Sequence, residues 1–212
     1  MKGVTKAWPG VGAVLRDADL MLPGGALSFI EGANGVGKTT LLRIIAGLVE
    51  ADVGEVRVSG LRLTEDRRGY QARLGVVAAG NSGLYNRLDC HQHLRFAAGI
   101  SLVRPNRRDG LIGDVVRAFA LEEFANRRVD RISMGQRQRL RLAMGFVHQP
   151  SLLLLDEPTT SLDSAGAQIL AAALSAHLEA GRAALWFGPT GASPSLAPSQ
   201  HLRLDHGALV AS

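Results

Sequence analysis

The stretch Gly32-Ala33-Asn34-Gly35-Val36-Gly37-Lys38-Thr39-Thr40 decides how this sequence folds. It matches the pattern G-x-x-x-x-G-K-[ST], in which glycines let backbone N–H groups surround phosphate oxygens that a Cβ would obstruct. The apolar run at residues 26–30 predicts a buried strand before it, and residues 41–46 predict a helix that ends at Gly47. A strand, a glycine loop and a helix N-terminus in this order indicate a nucleotide site, because such a helix start attracts anions.

Within this loop, Lys38 is predicted to reach the β- and γ-phosphates, and the Thr39 hydroxyl is predicted to coordinate Mg²⁺. The alternative is a glycine-rich turn with a chance lysine, which both flanking segments argue against. The loop residues predicted to bind ATP are Asn34, Gly35, Gly37, Lys38, Thr39 and Thr40.

A second element is the run of four leucines at residues 152–155, followed by Asp156 and Glu157. A continuous apolar run predicts a central parallel strand covered on both faces, so its acidic end should lie at the sheet edge where the phosphate loop opens. There Asp156 would hold Mg²⁺ through water, and Glu157 would act as general base on the attacking water. The alternative is an ordinary acidic strand terminus.

Composition limits the remaining possibilities. The 212 residues are 46% hydrophobic and 20% charged, which predicts one core, or one core with an inserted lobe. No apolar run approaches the ~20 residues that span a bilayer, and residues 1–6 lack the apolar part of a signal peptide, so we expect a cytoplasmic protein. The single cysteine, Cys90, excludes an internal disulfide and a cysteine-based metal site, and we expect a partly buried thiol.

The net charge of +5 is compatible with nucleic acid, membrane or polyphosphate partners. Arginine pairs occur at 67–68, 107–108 and 127–128, but no aromatic residues interleave with them as a single-strand groove requires. We therefore expect solvated basic faces with some attraction to nucleotide or anionic lipid, and no nucleic-acid partner.

The other segments predict β structure at both ends of the chain and helices between. Strands are predicted near residues 3–8, 13–15, 19–22, 55–58, 73–78 and 183–187, a hairpin at 201–210, helices within 84–146 broken at Pro105, and a helix at 165–180.

A third element begins at Ser133, 23 residues before Asp156. Ser133 suits a helix N-cap, and Gln136 three residues later completes a capping box whose helix start would bind an anion. The alternative is an ordinary capped helix with an arginine-rich face.

Taken together, the phosphate loop, Ser-Met-Gly-Gln-Arg-Gln-Arg from Ser133 and Leu-Leu-Leu-Leu-Asp-Glu-Pro-Thr from Leu152 resemble the nucleotide-binding subunit of ABC transporters. The resemblance covers nearly the whole chain. It implies an α/β fold, with a P-loop NTPase (RecA-like) core, an N-terminal antiparallel β subdomain and an inserted α-helical subdomain. One domain is expected over residues 1–212, with the core and β subdomain at 1–83 and 147–212 and the helical subdomain at 84–146.

In that family two ATPase subunits sandwich two ATP molecules. The resemblance implies that Ser133, Gly135 and Gln136 contact the ATP held by the phosphate loop of a second subunit, in a homo- or heterodimer. It places residues 161–163 in the loop that crosses the dimer interface. Trp8 stands where an aromatic residue stacks on adenine, and its alternative role is core packing.

Residues 84–94 resemble those of exporters for drugs, polysaccharides or other lipophilic cargo, which use a separately encoded transmembrane permease. The resemblance implies a subunit that lies on the inner face of the cell membrane through this permease. Tyr85, Leu88 and Phe96 are the residues expected to contact it.

Two positions depart from the family pattern. The strand ending at Val77 should lead to a glutamine near Mg²⁺, but Ala78-Ala79-Gly80 follow it, with Asn81 the nearest amide. The strand at 183–187 should be followed by a histidine at the γ-phosphate, but Gly188-Pro189-Thr190 follow. We therefore expect that ATP binds well and is hydrolysed slowly, or that a partner completes the site.

Three alternatives stay open at this point. The haem-exporter ATPase of cytochrome c maturation is similarly short and has an Ile-Glu-Gly-x-Asn-Gly phosphate loop. A soluble ABC ATPase acting on DNA or ribosomes is disfavoured, because the chain has one cassette and no coiled coil. A regulatory protein that binds ATP without turnover agrees with the two missing side chains.

Overall fold

The computed structural model describes residues 1–80 and 83–212. A six-stranded central sheet carries helices on both faces, and a small three-stranded sheet is built from the N-terminal segment. The strands are β1 (Lys2–Trp8), β2 (Gly12–Ala18), β3 (Leu27–Glu31), β4 (Val53–Glu55), β5 (Arg57–Val58), β6 (Leu61–Arg62), β7 (Leu74–Val77), β8 (Leu152–Asp156), β9 (Ala183–Gly188), β10 (Gln200–Asp205) and β11 (Ala208–Ala211). The helices are α1 (Lys38–Ile45), α2 (Arg67–Gln71), α3 (Cys90–Ile100), α4 (Pro105–Ala118), α5 (Met134–Phe146) and α6 (Ser164–Glu179), with a 3₁₀ turn at Val129–Arg131.

The central sheet has the order β11-β10-β3-β9-β8-β7. Its strands pair in parallel, except that β11 returns antiparallel to β10. Parallel strands end at one edge, so the loop after β3 and the acidic residues at the end of β8 lie on the same side, with β9 between them.

The side chains of β8 pack against helices on both faces of the sheet. Leu152 and Leu154 belong to the core cluster that includes the leucines and isoleucines of α1. Leu153 and Leu155 belong to the opposite cluster, which includes residues of α3 to α6. All four are buried, which confirms the predicted central strand.

The predicted arrangement of the flanking segments is confirmed. The small sheet has the order β2-β1-β4 and is antiparallel throughout. Helices α3, α4 and α5 lie between β7 and β8 in the chain. Pro105 lies at the predicted break between two helices, as the first residue of α4, a position that its missing N–H allows. Strands β10 and β11 form the predicted C-terminal hairpin.

Two strand predictions were wrong. Residues 19–22 are not a strand, because the Asp19 carboxylate accepts a hydrogen bond from the Gly3 N–H (2.7 Å) and the Met21 side chain is 84% exposed. Residues 55–58 are not one strand either: β4 pairs with β1, whereas β5 turns away to pair with β6.

Cys90 is fully buried at the start of α3, not partly buried as expected. Burial raises the pKa of its thiol to about 11, and the nearby Asp89 charge acts in the same direction. The thiol is therefore an inert core group rather than a nucleophile.

Candidate nucleotide-binding site

The phosphate loop joins β3 to α1 with a backbone that only glycine adopts easily. Gly35 has a φ of 81°, and Gly37, the residue that precedes α1, has a φ of 117°. A Cβ on Gly37 would lie 2.9 Å from the Val14 carbonyl oxygen of β2. No side chain caps α1, so the N–H groups of its first turn remain available to an anion.

Lys38 is buried, with 7% of its surface exposed. Its ammonium donates to the carbonyl oxygens of Gly32 (2.6 Å) and Ala33 (3.0 Å). The Lys38 ammonium is therefore bonded to the backbone of the same loop that is predicted to bind phosphate.

A cavity of about 220 Å³ opens above this loop. It brings together the loop residues and the acidic residues at the end of β8, which the sequence separates by more than a hundred positions. The lining residues are Asn34, Gly35, Gly37, Lys38, Thr39, Thr40, Ala79, Asp156 and Glu157. Every residue that was predicted for the phosphate loop and the acidic pair thus borders one space.

The two carboxylates differ in their surroundings. Asp156 is 8% exposed, and burial, together with the neighbouring Glu157, raises the pKa of its carboxyl group. The Ala79 backbone N–H, which bonds this carboxylate, and the Lys38 charge lower the same pKa. Glu157 follows in a left-handed conformation (φ 46°) and its N–H donates to the Phe187 carbonyl oxygen (2.9 Å), so the backbone leaves strand conformation at this residue.

The two departures from the family pattern are visible in this geometry. Among the described residues that line the cavity, none is a glutamine or a histidine. Ala79 stands there with a methyl group, and Asn81 lies outside the described residues. Pro189 begins a tight turn in which the Ala192 N–H donates to the Pro189 carbonyl oxygen (3.1 Å).

Sequence reasoning missed the residue that anchors this turn. Glu31, the last residue of β3, is 7% exposed, and its carboxylate accepts from the Gly191 N–H (3.1 Å) and the Ser212 hydroxyl (3.4 Å). The imidazole of His201 lies 3.7 Å from the same carboxylate. The sequence contained one indication of this role, because Glu31 is a carboxylate at the end of an apolar strand and directly before the glycine loop.

Ser133, Gly135 and Gln136, which are expected to contact the ATP of a second subunit, do not line the cavity above the phosphate loop. Ser133 and Gln136 form the predicted capping box at the start of α5, with hydrogen bonds of 3.2 and 2.9 Å. A Cβ on Gly135 would lie 3.2 Å from the Ser161 carbonyl oxygen. The start of α5 therefore packs beside the 161–163 loop.

Trp8, at the end of β1, is 38% exposed, so core packing does not explain it. Its ring contacts the ammonium of Lys6, 4.9 Å from the ring centroid. It does not border the cavity above the phosphate loop.

A separate apolar groove of about 560 Å³ runs along β7, the edge strand of the central sheet. It is bordered by residues of α2, α3 and α5. Close by in the chain, Tyr85 (60% exposed) and Phe96 (49%) form an edge-to-face pair with ring centroids 6.3 Å apart, whereas Leu88 is half-buried.

Over the described residues, no helix has both the length and the apolar character that a membrane span requires.

Comparison with known proteins supplies the family. The model of the family described as "ABC transporter" matches residues 15–160. The ABC transporter ATP-binding protein NatA of Bacillus subtilis is 34% identical over 155 residues, which cover 73% of this chain and 63%, less than two thirds, of NatA. The cytochrome c biogenesis ATP-binding export protein CcmA of Bordetella bronchiseptica is 36% identical over 190 residues, covering 90% of this chain and 84% of that protein.

Solved structures agree with the fold. An ATP-binding cassette, solved as a dimer in a post-hydrolysis state bound to ADP and phosphate, superimposes with a TM-score of 0.85 at 23% identity. The match covers 98% of this chain and 94% of the other. This likeness confirms the predicted P-loop NTPase fold.

Proposed function

The chain belongs to the ABC transporter family as one of its ATP-binding subunits, and from this premise we propose that it binds ATP with Mg²⁺ and drives an exporter through a separate membrane permease. The single observation that carries this proposal is the common cavity of the phosphate loop, Asp156 and Glu157. In this cavity the glycine-rich backbone, the Lys38 cation and two carboxylates lie together, and phosphoryl transfer uses groups of these kinds.

The oxygen atoms available in this cavity fit Mg²⁺. The Thr39 hydroxyl and the Asp156 carboxylate border the same space, and Mg²⁺ is commonly bound through one or two carboxylates together with substrate phosphates. Bound there, Mg²⁺ would neutralise charge on the β- and γ-phosphates. Thr39 and Asp156 would hold it, Lys38 would bind the phosphate oxygens, and Glu157 would accept a proton from the attacking water.

A second ATPase subunit, identical or related, would complete the site. Ser133, Gly135 and Gln136 lie outside their own chain's cavity, which supports their role toward the ATP of the partner. The Ser133 oxygen accepts from the Gln136 N–H, which leaves the hydroxyl proton free to donate to a phosphate. We divide the chain accordingly, with the core and β subdomain at 1–83 and 147–212 and the helical subdomain at 84–146.

Hydrolysis should be slow. Ala79 and Pro189 offer no side-chain donor where the family has glutamine and histidine, and one lost donor at a reacting phosphate can cost ~10²- to 10³-fold in rate. The test is a steady-state ATPase assay on the complex with its permease, with Glu157→Gln as the inactive reference. Turnover in the usual range of about 1–100 s⁻¹ that Glu157→Gln abolishes would refute slow hydrolysis. ATP binding without turnover would favour the regulatory alternative.

The haem-exporter alternative is favoured by one specific observation, the similarity to CcmA over 90% of the chain. Genes for cytochrome assembly beside this gene would support it. Co-purification with a membrane protein that high salt does not disrupt would separate the transporter from a soluble ABC ATPase acting on DNA or ribosomes.

The permease would hold the subunit on the inner face of the cell membrane. Tyr85 and Phe96 expose their rings as a pair, and the half-buried Leu88 adjoins them in sequence. Replacing all three with alanine should weaken co-purification with the permease in a pull-down, and unchanged co-purification would remove them from the interface. Identification of the co-purified membrane protein would also define the cargo class.

A further inference from the structure

The ring of Trp8 is held by a charged neighbour on the same strand. The Lys6 ammonium lies over the ring, 4.9 Å from its centroid, within the range of a cation–π contact. The Lys6 side chain is only 14% exposed, whereas Trp8 is 38% exposed. The lysine side chain is therefore largely covered, while part of Trp8 remains exposed.

Asp52 fixes this arrangement from outside the strand. One carboxylate oxygen accepts from the Lys6 ammonium (2.6 Å), and the other accepts from the Ala7 N–H (2.8 Å). The Asp52 N–H in turn donates to the Thr5 carbonyl oxygen (2.9 Å). A single residue thus secures both the lysine side chain and the backbone that leads into Trp8.

The hairpin that carries Trp8 lies beside the phosphate loop. Trp8 pairs with Gly12 at the end of the β1–β2 hairpin. Two residues further along β2, the Val14 carbonyl oxygen lies against Gly37, and Val14 shares a surface cavity with Gly35. The hairpin and the loop are therefore neighbours, as a base and its phosphates would require.

We propose that Lys6, fixed by Asp52, is a positioning residue that presents Trp8 as the platform for the adenine base. The ammonium occupies one face of the indole ring and the base stacks on the other. Because both faces of an aromatic ring carry partial negative charge, direct stacking is opposed electrostatically, and a cation on the far face reduces that opposition. The inference rests on the proposed function, since it presupposes that ATP is the ligand.

The test compares ATP with tripolyphosphate, which has the phosphates but no base. Binding of each ligand with Mg²⁺ is measured by calorimetry on the full chain, on Lys6→Met and on Lys2→Met. Lys2 is an exposed lysine of the same strand, so it controls for the loss of charge. Lys6→Met should weaken ATP binding about 3- to 10-fold and leave tripolyphosphate binding unchanged, and Lys2→Met should change neither.

Two further measurements separate positioning from a general effect on the fold. Trp8 is exposed and the second tryptophan, Trp186, is buried in β9, so ATP should quench the fluorescence of Trp8 and this signal should vanish in Trp8→Phe. In a double-mutant cycle, Lys6→Met should weaken ATP binding no further when Trp8→Ala is present.

The outcomes are distinct. If wild-type protein binds ATP and Lys6→Met changes the affinity by less than about twofold, or weakens both ligands equally, the inference is wrong and the proposed function stands. If wild-type protein binds neither ligand, the proposed function fails and the inference fails with it.

Discussion

The side-chain amide of Gln138 donates to the Pro158 carbonyl oxygen across 2.8 Å in the protein interior. Arg141 donates to the oxygen of the same amide (2.6 Å), so both ends of this amide are used. Pro158 directly follows Glu157, and Gln138 lies two residues after Gln136. The contact joins α5, the helix that Ser133 caps, to the loop that holds Glu157, the proposed general base.

Gln138→Leu should lower the free energy of unfolding by about 1–3 kcal/mol, because it leaves the buried Pro158 carbonyl oxygen without a donor. Urea denaturation measures this. Gln168→Leu is the matched control, since Gln168 is exposed on α6. Equal stability of the two variants would mean that the buried hydrogen bond contributes nothing.

Restoring the two missing side chains should raise ATP turnover. In Ala79→Gln with Pro189→His, the amide enters the cavity beside Asp156 and the imidazole stands at the end of β9, so we expect an increase of about tenfold or more. Initial rates of phosphate release measure the effect. Ala78→Gln is the control, because Ala78 borders the apolar groove instead of the nucleotide cavity, and an equal gain there would contradict the explanation.

His177 should make stability depend on pH. The pKa of its imidazole is lowered to about 4, mainly by burial and in part by the nearby Arg182 charge, although the hydrogen bond with the Ala183 carbonyl oxygen (3.1 Å) opposes this. The unfolded chain takes up the proton near pH 6.5 and the folded chain only near pH 4, so stability falls as pH drops through that window. The loss attributable to this residue is at most about 3 kcal/mol.

The measurement is urea denaturation between pH 4 and pH 7.5 on the wild type and on His177→Gln. Other titrating groups, including His148 whose pKa burial also lowers, are common to both proteins and cancel in the difference. Parallel curves would show that His177 does not titrate in this range.

Gly110→Ala should stabilise the protein by about 0.5–1 kcal/mol, because alanine has the higher helix propensity. Gly110 lies within α4, and a Cβ there would meet no atom within 4 Å. The shift of the thermal midpoint tests this. The same substitution at Gly37 provides the contrast, since its positive φ and the nearby Val14 carbonyl oxygen should make it destabilising.

The sequence was sufficient to predict the phosphate-loop and acidic residues of the cavity, because each belongs to a contiguous motif whose spacing reflects backbone geometry. The phosphate loop needs glycines at Gly35 and Gly37 for their positive φ, and Asp156 needs a buried strand before it. The contacts of Glu31 with Gly191 and of Lys6 with Asp52 could not be predicted in this way. They join segments that are distant in sequence, and no local pattern specifies which backbone N–H or side chain a carboxylate will meet.

The errors in the fold have a similar origin. The alternation at residues 55–58 indicates a strand correctly, but pairing with two different partners divides it into β4 and β5. Residues 19–22 have strand-like composition, yet the Asp19 side chain takes the Gly3 N–H as its partner. In both cases tertiary hydrogen bonds override local propensity.

The carbonyl oxygens of Gly32 and Ala33 accept hydrogen bonds from the Lys38 ammonium, so they compete with a phosphate for the same donor. A phosphate that binds the Lys38 ammonium must replace these two hydrogen bonds. The free energy of ATP binding therefore contains only the difference between the new contacts and the bonds that they replace. The empty loop consequently does not expose a bare buried cation. Loss of these two bonds is therefore part of the cost of any phosphate contact that Lys38 makes.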